Sequence, residues 1–209
     1  MNRVLFITES LTSEFSRHSL LINLAKNLEN KNYKFSFIEY NPIVCNNQNK
    51  SKEIKNYSLT KYESRYGCFI QIVKNLILLS KNDILLIGGY GHLECWISLV
   101  FGYFKGIKIV GWLGASHKST INKGFIHKIL KKFFISNLKS IITYGKLSTE
   151  FYKDLGFPKE NIFTGINSSD TSFFKYLGKD RLIIEHNKKI KCVWAGKLIP
   201  RKGLLQLLD

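Results

Sequence analysis

Residues 140–165, SIITYGKLSTEFYKDLGFPKENIFTG, contain two short apolar runs on either side of a more polar segment. SIITY (140–144) and NIFTG (161–165) are predicted to be strands, because both are short and carry β-branched or aromatic residues. Residues 146–155 between them are predicted to form a helix. This strand–helix–strand unit is typical of parallel sheets.

The same alternation extends back to the amino terminus. Strands are predicted at 4–8, 34–40, 84–87 and 107–112, and helices at 14–29, 65–80, 92–104 and 120–137. Residues 41–61 are polar and rich in Asn and Lys, so we expect a surface loop there. Hydrophobic strands that alternate with helices predict an α/β fold, with a doubly wound, mainly parallel sheet covered on both faces.

The segment ILLIGGYGHLECWISLVFGYF (84–104) allows a second interpretation, because it carries a single acid and is nearly long enough to cross a bilayer. The internal GGYGH and Glu94 would interrupt such a span. We therefore interpret it as a strand, a glycine turn and a buried helix, with a membrane span as the minor alternative.

Ligands of doubly wound sheets bind at the carboxyl ends of the strands. Four loops follow predicted strands at that edge: ESLTSE (9–14), GGYGH (88–92), LGASH (113–117) and YGK (144–146). Gly88, Gly89 and Gly91 do not match a dinucleotide fingerprint, so we interpret them as a tight turn.

The chain has 209 residues, a formal net charge of +17 and a pI near 9.7. Such a charge is typical of proteins with an anionic partner, such as nucleic acid, a membrane surface or a phosphorylated substrate. The excess of Lys, Asn and Ile is equally what an AT-rich coding sequence produces without selection for binding. Composition leaves both interpretations open.

The cysteines Cys45, Cys68, Cys95 and Cys192 form no CxxC pair and no cluster with the scattered histidines. This spacing predicts reduced thiols in a cytoplasmic protein, and no structural zinc or other metal site.

Two stretches resemble a known family. LKSIITYGKLSTEFYKDLGFPKENIFTGINSSDTSFF (138–174) is similar to the end of the amino-terminal domain in family 4 glycosyltransferases of the GT-B fold. VWAGKLIPRKGLLQLL (193–208) resembles the first strand, loop and helix of that family's carboxy-terminal, nucleotide-sugar domain. The resemblance implies a Rossmann-like acceptor-side domain at 1–175, a linker at 176–189 and a truncated donor-binding domain at 190–209.

The implied function is retaining transfer of a sugar from a nucleotide diphosphate to a glycan or lipid-linked acceptor, in cell-surface polysaccharide synthesis. The nucleotide sugar is a co-substrate, and the resemblance implies no cofactor and no essential metal. Because the family's pair of donor-side glutamates has no counterpart in 1–209, we expect these residues alone to be an incomplete, inactive enzyme.

The resemblance assigns Lys197 and Lys202 to the donor diphosphate. Both flank a predicted strand-to-helix turn, where free backbone N–H groups favour anions. Lys197 stands where the family commonly has Arg, so the charge is kept and the bidentate fork is lost. The alternative is a solvated basic turn, and Arg201 is expected to face solvent.

Other candidates lie in the predicted loops and turns. Glu9, Ser13 and Arg17 are acceptor-side candidates in a first loop that lacks the family's glycine pair, and Ser13 is equally a candidate helix N-cap. Asn167 and Asp170, in NSSD, are predicted to form an Asx-type turn that closes the first domain, and they are also candidates to border the interdomain cleft.

His117, in LGASH, is the candidate catalytic residue, because family members often have a His or Asp near this position that faces the donor sugar. The register leaves Ser116 as an alternative, and a lone loop histidine is often satisfied locally. His92 is a weaker candidate for the same reasons.

The segment KGFIHKILKKFFISNLK (123–139) places Phe125, Ile129 and Phe133 on one stripe, with lysines on other faces. It is either a helix covering the sheet or a helix that lies against anionic lipid at the inner face of the cytoplasmic membrane.

A function of a different class is a non-catalytic basic α/β module that binds nucleic acid or anionic membrane. The sequence lacks Arg clusters and helix-turn-helix, RRM or zinc-finger signatures, so we do not expect a nucleic-acid partner.

Overall fold

The computed structural model describes residues 2–9, 23–40, 58–60, 65–117 and 124–165. The chain divides into two units, Met1–Asp170 and Thr171–Asp209, and every described residue belongs to the first. The predicted linker at 176–189 and the predicted second domain at 190–209 therefore lie outside the described residues, and both stay predictions.

A single sheet of parallel strands forms the centre of the first unit, in the order β3-β2-β1-β4-β5-β6-β7. The strands are β1 Asn2–Glu9, β2 Tyr33–Tyr40, β3 Ser58–Thr60, β4 Ile84–Ile87, β5 Lys108–Leu113, β6 Ser140–Thr143 and β7 Ile162–Thr164. The order reverses between β1 and β4, as in other doubly wound sheets.

Helices connect these strands. They are α1 (residues 23–29), α2 Arg65–Ile77, α3 Leu93–Phe104, α4 Phe125–Ser136 and α5 Lys146–Asp154, followed by a short 3-10 turn at Lys159–Asn161. The doubly wound, parallel α/β fold that the alternation predicts is confirmed. No described helix is long and apolar enough to cross a membrane.

One strand was not predicted. Ser58–Thr60 lies inside the segment expected to be a surface loop, yet it pairs in parallel with Ser36, Phe37 and Ile38 of β2. The prediction failed because three residues are too few to show an apolar alternation. The outer edge of β2 supplies the backbone hydrogen-bonding groups that organise this short edge strand.

Alternating strand residues divide the core between the two faces of the sheet. Leu5 and Ile7 point to the larger cluster, which packs under buried residues of α2, α3, α4 and α5. Val4 and Phe6 point to the smaller cluster, which Ala25 of α1 covers. The helices therefore lie on both faces, and the carboxyl ends of all strands come to one edge.

A buried carboxylate organises the opposite, amino-terminal edge. Asp83 accepts hydrogen bonds from the backbone N–H of Arg3 at 2.6 Å and from the N–H and hydroxyl of Ser80 at 2.7 and 3.0 Å. Burial acts to raise the pKa of Asp83, but these donors and the charge of Arg3 outweigh it and hold the pKa below its ordinary value of 3.8. Asp83 thereby ties the turn after α2 to the start of β1.

The carboxyl end of α2 is held by a lysine from the end of α3. The Lys105 ammonium group donates to the carbonyl oxygens of Leu76, Ile77 and Leu79 at 3.1, 2.6 and 2.5 Å. These carbonyls have no further helical turn to bond with, and a cation beside them also complements the helix dipole.

We predict that Asp83→Asn lowers the free energy of unfolding by about 1–3 kcal/mol at neutral pH, because charge-assisted hydrogen bonds to a buried group are lost. Since the folded pKa is depressed, this stabilisation is present above about pH 4 and disappears as the pH falls through the folded pKa. Urea unfolding of both proteins between pH 7 and pH 3 should show the difference shrinking at the acid end. Glu160→Gln, which alters an exposed carboxylate, is the control and should change neither quantity; an Asp83→Asn difference independent of pH would contradict the assignment.

Candidate functional site

The candidate site is the carboxyl edge of the sheet around the junction of β1 and β4. β1 leads to β2 on one side and β4 leads through α3 to β5 on the other, so the order of the sheet reverses at this junction. Ligands of doubly wound sheets bind in the crevice outside the strand ends at such a reversal. Residues 88–92, 114–117 and 144–145 border this edge and are described, whereas residues 10–22 after β1 are not.

Gly88 is required where it stands, because the end of β4 packs directly on β1. Its N–H donates to the carbonyl oxygen of Ile7 at 2.9 Å. A Cβ atom at Gly88 would lie 2.4 Å from the Thr8 hydroxyl oxygen and 2.8 Å from the Thr8 Cβ, closer than side chains approach. At Gly88, the segment predicted as a tight turn therefore makes a close contact between the ends of β1 and β4.

Gly89 and Gly91 differ from Gly88. A Cβ atom at either position would meet no atom of the described residues within 4 Å, and neither glycine has a positive φ. Neither packing against the described residues nor backbone conformation therefore demands glycine at these positions. Their small size leaves the backbone of the 88–92 loop accessible at the crevice, where a ligand can approach it closely.

A lysine buried among aromatic rings lies beside this loop. The Lys131 ammonium nitrogen of α4 lies 5.6 Å from the Tyr90 ring centroid and 4.9 Å from that of Phe151 on α5. Burial raises the pKa values of Tyr90 and Tyr152. Both phenols therefore stay protonated at neutral pH and are not suited to act as bases.

Sequence reasoning grouped Lys131 with the other lysines of its helix and missed this burial. The available signal was helical spacing, because Phe134 and Ile135 follow at three and four residues and are both buried. Those two residues and Lys131 share the side of α4 that faces the core.

The structure places His117 on the outer side of α5. Its Nε2 lies 2.8 Å from the Asp154 Oδ2, and its ring meets Phe151 edge-on at 5.0 Å. The two polar side chains are 61% and 63% exposed, so solvent screens the pair and its contribution to stability is below about 1 kcal/mol. A carboxylate partner orients an imidazole. This arrangement is suited to proton transfer, and it equally serves to give the imidazole a local hydrogen-bond partner. The catalytic assignment of His117 stays a prediction.

Most other predicted site residues lie outside the described residues, and their roles stay predictions. They are Ser13 and Arg17 of the first loop, Asn167 and Asp170 of the predicted interdomain turn, and Lys197 and Lys202 of the predicted diphosphate turn. Glu9 is the last residue of β1 and pairs with Tyr40, but its side chain is not described.

The described cysteines are not suited to nucleophilic chemistry. Cys68 and Cys95 are buried and form no disulfide. Burial, aided by the nearby charge of Glu94, raises the pKa of the Cys68 thiol to about 11, so it is protonated at neutral pH. Within the described ranges, no group of three or more His, Cys, Asp or Glu is placed to hold a metal ion.

The unit β6–α5–β7 is held together by short polar contacts. The Thr149 hydroxyl of α5 shares hydrogen bonds with Thr143 of β6 at 2.6 Å and with Thr164 of β7 at 2.8 Å. Gly156, with φ 88°, ends α5, and its N–H donates to the Lys153 carbonyl at 2.8 Å. Several residues of the family-like stretch at 138–174 therefore have structural roles.

No protein-family model matches the chain, and no curated protein matches it in sequence. Among solved structures, the UDP-GlcNAc 2-epimerase from Methanocaldococcus jannaschii is 13% identical, with a TM-score of 0.47 over 78% of this chain and 45% of that one. A putative UDP-N-acetylglucosamine 2-epimerase from Listeria monocytogenes is 10% identical, with a TM-score of 0.49 over 77% and 43%. The chain spans less than half the length of both, and likenesses of this strength do not assign a function.

We predict opposite outcomes for alanine at neighbouring glycines of the 88–92 loop. Gly88→Ala should lower the free energy of unfolding by about 1–3 kcal/mol, because the new methyl group overlaps Thr8. Gly89→Ala and Gly91→Ala should stay within about 0.5 kcal/mol of the parent, since their Cβ atoms enter open space. Denaturant unfolding followed by circular dichroism measures all three, and equal losses would contradict the close contact at Gly88.

Proposed function

We propose that the protein is a GT-B glycosyltransferase that moves a sugar from a nucleotide-diphosphate donor to a glycan or lipid-linked acceptor with retention of configuration. The observation that carries this proposal is the order and spacing of the two family-like stretches, 138–174 and 193–208. The doubly wound sheet agrees with it, although this fold also hosts many other activities.

The open carboxyl edge at Gly89 and Gly91 supports the acceptor-side role of the first unit. In the proposed reaction, the bond between the sugar C1 and the diphosphate oxygen breaks, and a bond from C1 to the acceptor hydroxyl oxygen forms. The nucleotide diphosphate leaves with the bonding electrons, and the acceptor hydroxyl gives its proton to water. Negative charge thus grows on the diphosphate, and Lys197 and Lys202 are assigned to stabilise it.

We expect Lys197→Ala and Lys202→Ala each to reduce sugar transfer by about 100-fold, the loss typical of removing one group that stabilises developing charge. Transfer from a panel of UDP- and GDP-sugars is measured with the purified protein. Arg201→Ala is the matched control in the same turn and should retain activity.

Two results would overturn this assignment. Absence of transfer from every donor of the panel would contradict the proposed reaction, and full activity of both lysine variants would remove their role in it.

We further expect His117→Gln to lower kcat by about 100-fold if its imidazole acts on the reacting groups, while the unfolding free energy stays unchanged. Stability is spared because the contact with Asp154 is largely exposed. Asp154→Asn, which keeps the imidazole, should have a much smaller effect on kcat. A His117→Gln enzyme with parental kcat would restrict His117 to its local pair, and Ser116→Ala then tests the alternative register.

A further inference from the structure

The outward side of α4 is apolar. Five side chains on this side are between 46% and 76% exposed: Phe125, Ile126, Ile129, Leu130 and Phe133. Their spacing places them along one side of the helix, whereas Lys131, Phe134 and Ile135 on another side are buried. A helix on a protein surface normally exposes a polar side, whereas α4 carries apolar side chains on its outward side as well as on its buried side.

Helix α3 extends this surface. Four of its side chains are between 46% and 82% exposed: Leu93, Val100, Tyr103 and Phe104. The helix is therefore buried on one side only, and the prediction of a buried helix is wrong for its outward side. Trp96 of α3 stacks on Phe133 of α4, with ring centroids 6.5 Å apart and planes 6° apart. This contact joins the outward sides of the two helices into one surface, called here the α3–α4 face. An apolar surface of this extent marks an interaction site.

The charge of the α3–α4 face is positive. Lys128 and Lys132 of α4 are exposed beside the apolar stripe. Glu94 is the one acidic residue of the two helices, and it is buried. The face thus offers cations and apolar side chains, with no exposed carboxylate on either helix.

We propose that the α3–α4 face docks on the surface of a bilayer that contains anionic phospholipid. Exposed aromatic and aliphatic side chains partition into the boundary between headgroups and acyl chains, and the lysines bind the negative headgroups. A second copy of this chain is the weaker occupant, because it would bring lysines against lysines without a carboxylate to pair them.

In the proposed docking, α3 and α4 lie parallel to the membrane plane and do not cross the bilayer. Each helix has 12 residues, which is too short to cross the hydrocarbon core. Tyr90, in the loop at the carboxyl edge of the sheet, lies against His127 and Phe134 of α4. The loop of the candidate site therefore packs against one of the two helices that form the face.

The test measures sedimentation of the 209-residue chain with vesicles of phosphatidylcholine alone or with about one-third phosphatidylglycerol. Binding to the anionic vesicles should be at least about tenfold tighter and should weaken steeply between low and high salt, since the Debye length falls from about 30 Å at 0.01 M to 3 Å at 1 M. No sugar transfer is required, so docking and the proposed activity fail or succeed separately.

Two pairs of substitutions separate the apolar and charged contributions. Phe125→Ser with Ile126→Ser, and Lys128→Gln with Lys132→Gln, should each weaken binding to anionic vesicles by about tenfold or more. All four side chains are exposed, so folding should persist, as checked by circular dichroism. The matched controls are the single substitution Phe163→Ser and the pair Lys108→Gln with Lys159→Gln. They alter exposed residues outside α3 and α4, and these variants should bind like the parent.

Equal binding to neutral and anionic vesicles, or no binding to either, would overturn the proposal. The face would instead be assigned to a second copy of the chain if two results came together. Light scattering would show a dimer that Phe125→Ser with Ile126→Ser dissociates, and the chain would not bind vesicles. A loss of binding in Lys108→Gln with Lys159→Gln equal to that in Lys128→Gln with Lys132→Gln would reduce the effect to net charge and also overturn the proposal.

Discussion

The close contact between Thr8 and Gly88 holds β4 against β1 at the point where the order of the sheet reverses. Gly88 also donates its N–H to Ile7, so the strand ladder continues to the edge of the sheet. Because the strands are parallel, this junction fixes the position of the loop that follows β4 at the carboxyl edge. The accessible backbone at Gly89 and Gly91 depends on it.

A parallel sheet must be covered on both faces, and the two helical layers meet this requirement differently. α1 covers β1 and β2 on one face, whereas α2, α3, α4 and α5 cover the larger cluster on the other. α3 and α4 need their inner sides for the core, yet their outer sides are also apolar. Core formation explains the apolar residues on the inner sides of these helices. It does not explain those on the outer sides, which we attribute to the proposed membrane contact.

Much of the fold was predictable from the sequence, because the signal lies in long, regular patterns. Apolar runs alternating with helical segments were sufficient for β1, β2 and the strands and helices from α2 to β7, within a few residues at each boundary. β3 was missed because three residues show no periodicity, and its formation depends on the edge of β2. Which side of α4 faces the core was not predictable. Two apolar stripes repeat at helical spacing along this helix, and tertiary packing decides which one is buried.

The candidate site was less predictable than the fold. Parallel topology was sufficient to predict that the loops after the strands share one edge of the sheet. Composition alone could not distinguish Gly88, which packing requires, from Gly89 and Gly91, which the described surroundings do not require. Helical spacing could have placed Lys131 on the buried side of α4, but its contacts with Tyr90 and Phe151 join three separate segments, so no local pattern shows these partners. The roles assigned through the family resemblance, Lys197 and Lys202 above all, depend on residues outside the described ranges.

Amide hydrogen exchange, followed by NMR, tests most directly whether the junction of β1 and β4 is the rigid base of the candidate site. The Gly88 amide should exchange as slowly as the core strands, through global unfolding, because it donates to Ile7 beneath Thr8. The amides of Gly89 and Gly91 should exchange much faster, since they border open space. Exchange of Gly88 as fast as that of its two neighbours would contradict the account.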